Sequence, residues 1–104
     1  MNLEKARGIL GNFLKHRQIS FIITKYPSGE WVAECDEIPA VMTGGMSDDI
    51  TKMDAMIREA VLTAANIDVE YSNDLLKFVG IESRGFLGNL FHLNTDRKAE
   101  YVLA

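Results

Sequence analysis

Apolar positions at the start of the chain recur with a helical period. Leu3, Ala6, Leu10, Phe13 and Leu14 share one face while Lys5, Lys15 and His16 fall elsewhere, which predicts a first helix. Gly8 and Gly11 weaken that helix by about 1 kcal/mol each relative to Ala, so its stability must come from packing. At "ISFIITK", residues 19–25, the pattern becomes that of a strand, rich in β-branched and aromatic residues. Ile19, Phe21 and Ile23 lie on one side of it and Ser20, Ile22 and Thr24 on the other. "YPSGE" is a turn, in which Pro27 presets φ and Gly29 takes a positive φ at no steric cost. "EWVAECD", residues 30–36, alternates cleanly, with Trp31, Ala33 and Cys35 on one face and Val32, Glu34 and Asp36 on the other.

Pro39 ends the second strand because it has no N–H to give to a ladder. "AVMT" predicts a short third strand, and Gly44-Gly45 permits a sharp reversal. Ser47 reads as a helix N-cap, with Asp48 and Asp49 in the first turn where the helix dipole favours anions. Beyond it, Ile50, Met53, Ile57, Ala60, Val61 and Ala64 trace one apolar stripe, the strongest helical signal in the chain. Asp68 to Asp74 is a polar connection, and "LLKFVGIES" reads as a fourth strand. Residues 84–104 are ambiguous: Phe86, Leu87, Leu90, Phe91 and Leu93 cluster between glycines, and "AEYVLA" fits a helix end or an edge strand equally.

The resulting fold class is α+β: an N-terminal helix, a three-stranded antiparallel meander, a long helix, a fourth strand and a short C-terminal element. The helices should pack on one face of the sheet. A chain of 104 residues is one domain's worth, and the whole of 1–104 is read as a single domain. Apolar residues at 47% and charged residues at 25% are average for globular proteins, so neither disorder nor a membrane span is indicated. One cysteine excludes an intramolecular disulfide and a multi-cysteine zinc site, and the N-terminus makes a poor signal peptide, so the expected location is cytoplasmic.

Charge changes the picture more than composition does. Residues 1–17 carry Lys5, Arg7, Lys15 and Arg17 against Glu4, whereas residues 30–74 carry eleven acids against Lys52 and Arg58, a balance of −9. Such a middle repels phosphate backbones and favours a basic partner, so direct nucleic-acid binding is not expected.

The acids nearest to a catalytic group are Glu34, Asp36 and Glu37. They come from one strand end, whereas a glycosidase or a two-metal nuclease needs carboxylates converging from several elements. They read as a solvated strand edge, which also discourages aggregation. Cys35 shares a face with Trp31 and Ala33 and reads as a buried small hydrophobe. His16 and His92 lie on separate segments with no third metal ligand at usable spacing. The phosphate-loop, dinucleotide and H-E-x-x-H patterns are absent, so no catalytic residue, metal site or cofactor is assigned and the chain is read as a non-enzyme. Met42, Met46, Met53 and Met56 cluster around one turn and helix; they read first as core, and second as an adaptable binding surface.

"SGEWVAECDEIPAVMTGG", followed by Ser47 and a long helix carrying Arg58, Glu59 and Ala60, resembles the HicB-like antitoxin domain over about residues 19–66. The hairpin matches at Gly29, Trp31, Val32, Ala33 and Glu34, the turn at Ile38 and Pro39, and the remainder at Thr43, Gly45 and Ser47. Ala40 stands where that family usually has Gly, and the N-terminal helix is an addition to the family pattern. The resemblance implies a degraded RNase H-like fold without the nuclease's catalytic acids. It also implies a small basic mRNA-interferase toxin as the partner to be masked. The segment after Leu75 is too short to hold both the fourth strand and a helix-turn-helix, so no separate DNA-binding domain is expected.

The residues expected to meet a partner are Glu34, Asp36, Glu37, Met42, Met46, Asp48 and Asp49. Self-association, most simply as a homodimer, is expected from an open edge at the first strand or the tail. The alternative function is that of a small acidic dimeric secretion chaperone, a class that shares the order helix, three strands, helix, strand and holds a client segment on an apolar surface.

Overall fold

Asn2 starts the first helix as the sequence requires, its side chain accepting a hydrogen bond from the Lys5 N–H at 2.8 Å. The helix, α1, runs Leu3–Phe13 and buries Ala6 and Leu10, while Phe13 is only partly buried. It ends in a left-handed turn at Lys15 and His16, where the His16 N–H reaches back to the Gly11 carbonyl at 2.9 Å. These features belong to a computed structural model that describes residues 1–46, 49–83 and 95–104.

Three strands follow: β1 (Ile19–Lys25), β2 (Trp31–Cys35) and β3 (Met42–Gly45). The β1–β2 turn contains Gly29 at φ 94°, the positive φ for which glycine is suited. Helix α2 spans Ile50–Ala64. The polar connection after it is not irregular: a single 3₁₀ turn, Val69–Tyr71, leads into the short helix α3, Ser72–Leu75. Strand β4 (Leu76–Ser83) lies where the fourth strand is expected, and the end of the chain forms a full strand, β5 (Thr95–Leu103).

The sheet order is β3-β2-β1-β5-β4, every pairing antiparallel. Two expectations are corrected here. "AEYVLA" is neither a helix end nor an edge strand, because β5 pairs with β1 on one side and β4 on the other. For the same reason neither β1 nor the tail is an open edge; the outer strands among those described are β3 and β4.

The faces assigned from alternation hold. Ile19, Phe21 and Ile23 of β1, Trp31, Ala33 and Cys35 of β2, and Ala99 and Tyr101 of β5 form one buried face. Register explains why they coincide, since Phe21 stands opposite both Cys35 and Ala99, and Ile23 opposite Ala33. Helices α1 and α2 pack on that face through Ala6, Leu10, Met53, Ile57, Val61 and Leu62. The α2 stripe is rotated from the expected one: Leu62 is buried, Ala60 is partly buried, and Ile50 and Ala64 are exposed. The helix ends in a Schellman turn, with Asn66 at φ 61° and the Ile67 N–H bonded to the Leu62 carbonyl at 2.9 Å. The buried pair Leu62 and Ile67 supplies the apolar contact that goes with such a turn.

Gly44 and Gly45 are read by the sequence as a reversal, but they serve as strand residues that admit Trp31. A Cβ at Gly44 would lie 2.7 Å from the Trp31 carbonyl oxygen, and one at Gly45 would lie 3.1 Å from the indole Nε1. Backbone and ring therefore meet where no side chain fits. Trp31 is buried to 1% exposure, and its indole N–H has no hydrogen-bond partner. Replacing Trp31 with Ala should destabilise the protein by about 3–5 kcal/mol in urea unfolding. Trp31→Phe should cost clearly less, because it keeps most of the apolar surface and removes an unsatisfied donor. Equal losses for the two variants would contradict this account of the Trp31 site.

Candidate functional site

The acidic stretch separates into unlike parts. Glu34 is exposed on the outer face of β2, opposite Met42 in register, and Asp36 is exposed just beyond the strand. Glu37 is different and corrects the reading of a wholly solvated edge. Its carboxylate accepts the Ser20 N–H at 2.7 Å and the Ser20 hydroxyl at 3.0 Å, and Ser20 is buried to 5% exposure. Arg17 donates to the Glu37 carbonyl at 3.2 Å. Glu37 thus fixes the start of β1 to the end of β2, and its two oxygens are occupied in doing so. Cys35 lies beside it, Sγ 3.9 Å from Glu37 Oε1. Burial, helped by the nearby Glu37 charge, raises the Cys35 thiol above its ordinary pKa, which suits a packed side chain and not a nucleophile.

The N-cap of α2 also differs from expectation. Asp49 caps the helix, its carboxylate accepting the Thr51 N–H at 2.9 Å, so it lies at the cap position and not inside the first turn. Ser47 and Asp48, the other two residues assigned to this helix start, lie outside the described residues. Of the other expected partner residues, Met42 and Met46 are exposed, at 55% and 67%. Met56 on α2 is exposed to 36%, whereas Met53 is core, so the methionine cluster divides between the two roles weighed for it.

Of these positions, Met42 and Met56 line a groove between outer strand β3 and α2. Its volume is about 410 Å³, and its walls include Val41, Met42, Met56, Glu59, Ala60 and Thr63. Sheet order places β3 at the rim, and α2 forms the opposite wall because its buried stripe faces the sheet. Met42, Met56 and the aliphatic wall suit an apolar side chain, and Glu59 puts an acid in the wall, whereas Glu34 and Asp36 are exposed but do not line the groove.

A second cavity lies on the other side of α2, against β1, β5 and β4. It has a volume of about 350 Å³ and is lined by apolar residues together with Asp54, Arg58, Arg97 and Tyr101. Arg58 Nε donates to both oxygens of Asp54, at 3.1 and 2.9 Å, and Nη1 donates to the carbonyls of Ser72 at 3.3 Å and Leu76 at 2.6 Å. The Tyr101 hydroxyl donates to Asp54 Oδ1 at 2.6 Å, and the Arg58 guanidinium lies 5.5 Å from the Tyr101 ring centroid. Asp54 is therefore engaged by two donors and is poorly placed to act as a base. The Asp54–Arg58 spacing of four residues is the sequence signal for this pair. Its extension to Tyr101 and the presence of Arg97 depend on the register of β5, which local pattern does not give.

Among the described residues, no three or more His, Cys, Asp or Glu side chains group as metal ligands. No described helix is long and apolar enough to cross a membrane. His92 and the apolar cluster from Phe86 to Leu93 lie outside the described residues. Comparison of the chain with family models, with curated proteins and with solved structures returns no match.

The site makes two stability predictions. Glu37→Ala should lower stability by about 1.5–3 kcal/mol, since it leaves the Ser20 donors unpaired, whereas Glu34→Ala should change it by less than about 0.5 kcal/mol in the same urea titration. The second concerns alkaline pH. Burial first, and the hydrogen bond to Asp54 second, raise the Tyr101 phenol above its ordinary value. The folded state holds that proton to higher pH than the unfolded chain does. The associated stability is present in full below about pH 10 and is lost as pH rises from there towards the folded value. Tyr101→Phe should be less stable at neutral pH, by about 1–3 kcal/mol, yet lose stability less steeply above about pH 10. Identical slopes for the two proteins would exclude Tyr101 as the titrating group.

Proposed function

We propose that the chain is a non-catalytic protein-binding module, resembling a HicB-type antitoxin, that masks a small basic mRNA-interferase toxin at the β3–α2 groove. The observation that carries this reading is an outer strand beside a groove whose lining includes exposed Met42, exposed Met56 and the exposed acid Glu59. An outer strand offers a row of backbone groups for an added strand, and alternate side chains of that strand then find the groove. Methionine adapts to the anchors it meets, and the acids select a basic segment and speed its encounter. Glu37 has no part in this surface, because its carboxylate is committed to Ser20.

The element order supports a second reading. A helix, three antiparallel strands and a long helix precede β4, with a 3₁₀ turn and the short α3 between, and the order helix, three strands, helix, strand is the one small acidic secretion chaperones share. In that reading the same groove holds a client segment of a larger polypeptide, and the chain acts as a homodimer in the cytoplasm. The two readings differ in the partner: one is a compact basic ribonuclease silenced by the chain, the other an unfolded segment with no activity to silence.

The test begins with purification of the untagged protein from its native cells together with whatever is bound. A small basic partner whose RNA cleavage is suppressed by adding the chain back is the expected result. Glu34→Lys with Asp36→Lys should then slow association, with the effect shrinking as salt rises, because exposed charges are screened beyond about 8 Å near 0.15 M salt. Asp68→Lys with Glu70→Lys, on the connection away from the groove, is the control and should change the rate much less. Equal slowing by both pairs would leave only net charge as the cause. No slowing by either would remove the acidic surface from the proposal.

A further inference from the structure

The second cavity carries an electrostatic imbalance that the protein-binding reading does not use. Among the described residues, its charged side chains are Asp54, Arg58 and Arg97. Asp54 and Arg58 neutralise one another across 2.9 Å. Arg97 is left over. Its Nε is buried and has no hydrogen-bond partner, and the residue stands opposite Ile23 on the core face of β5. That N–H loses water without gaining an acceptor, an arrangement that is costly until one is supplied.

The remaining walls say what kind of anion fits. Met53, Ile57 and Phe78 line the same space, and its volume of about 350 Å³ falls within the range of sites for small ligands, about 300–1,000 Å³. Ile50 and Phe78, also lining it, are exposed to 54% and 41%, so the cavity opens to solvent past apolar side chains. One unpaired cation calls for one negative charge, and the planar fork of an arginine matches a carboxylate. We propose that this cavity binds a straight-chain monocarboxylate of medium length, its carboxylate on Arg97 and its hydrocarbon against Ile57 and Phe78. The ligand would be a free fatty acid or a closely similar metabolite, and the proposal stands independently of the partner at the β3–α2 groove.

Titration calorimetry with decanoate, 1-decanol and decylamine, each kept below the concentration at which it aggregates, tests this on the intact protein. Decanoate should bind one to one and raise the melting temperature. Decanol should bind about tenfold more weakly, for want of a charge-assisted hydrogen bond, and decylamine should not bind measurably. Arg97→Gln should reduce decanoate affinity about tenfold while bringing it close to that of decanol. Ala99→Leu, which places a larger side chain in the cavity, should abolish binding of both, whereas Met42→Ser in the other groove should leave it unchanged. Equal affinity for decanoate and decanol in the unsubstituted protein would overturn the proposal without reference to any variant. So would unchanged binding in Ala99→Leu, or loss of binding in Met42→Ser.

Discussion

The clasp of Arg58 on Asp54, Tyr101 and the carbonyls of Ser72 and Leu76 is the interaction on which the rest of the architecture depends. Through it, α2 is tied to the start of α3, to the beginning of β4 and to interior strand β5. Apolar packing of Met53, Ile57, Val61 and Leu62 supplies most of the driving force for docking the helix, but packing alone is tolerant of rotation and sliding. Directed hydrogen bonds are not. Partly buried and charge-assisted, those of Arg58 are of the stronger kind and admit one helix position.

That position has consequences on both sides of the helix. Facing β3, α2 completes a groove whose walls are aliphatic and thioether groups together with Glu59. Facing β5 and β4, it completes a cavity whose lining includes Arg97, with its buried Nε lacking a hydrogen-bond partner. The two spaces have opposite electrical character in a chain whose net charge is −4.

Glu37 shows why a cluster of like charges in sequence need not be a cluster in function. Alternation places Glu34 on the outer face of β2, and Asp36 stays in water beyond the strand end, where its own N–H bonds to the Ser20 carbonyl at 2.9 Å. One residue later the chain has turned far enough for Glu37 to fold back onto Ser20. A carboxylate there satisfies a backbone N–H and a hydroxyl at a strand end that would otherwise be buried without partners. Its acidity serves the fold, and the local charge count overstates the surface by that much.

The residues by themselves determined the local elements: α1 from its 3.6-residue period, the β1–β2 hairpin from alternation and the Pro27–Gly29 turn, and the core face through Trp31. Each depends on interactions between near neighbours in sequence, and period and turn chemistry record these directly. The sequence also offered Met42 and Met46 as partner residues, on methionine's adaptability, although the methionine cluster read first as core. Tertiary structure decided the rest. Insertion of β5 between β1 and β4 fixed which strands became edges, and thereby which groove is open. The register of β5 brought Tyr101 to Asp54 across 47 positions of chain and set Arg97 opposite Ile23. Rotation of α2 exposed Ile50 and buried Leu62, against the single stripe through Ile50 and Ala64 that the periodicity predicts. Such pairings are chosen by the total burial and hydrogen bonding of the closed sheet, a sum over distant segments that no local window contains.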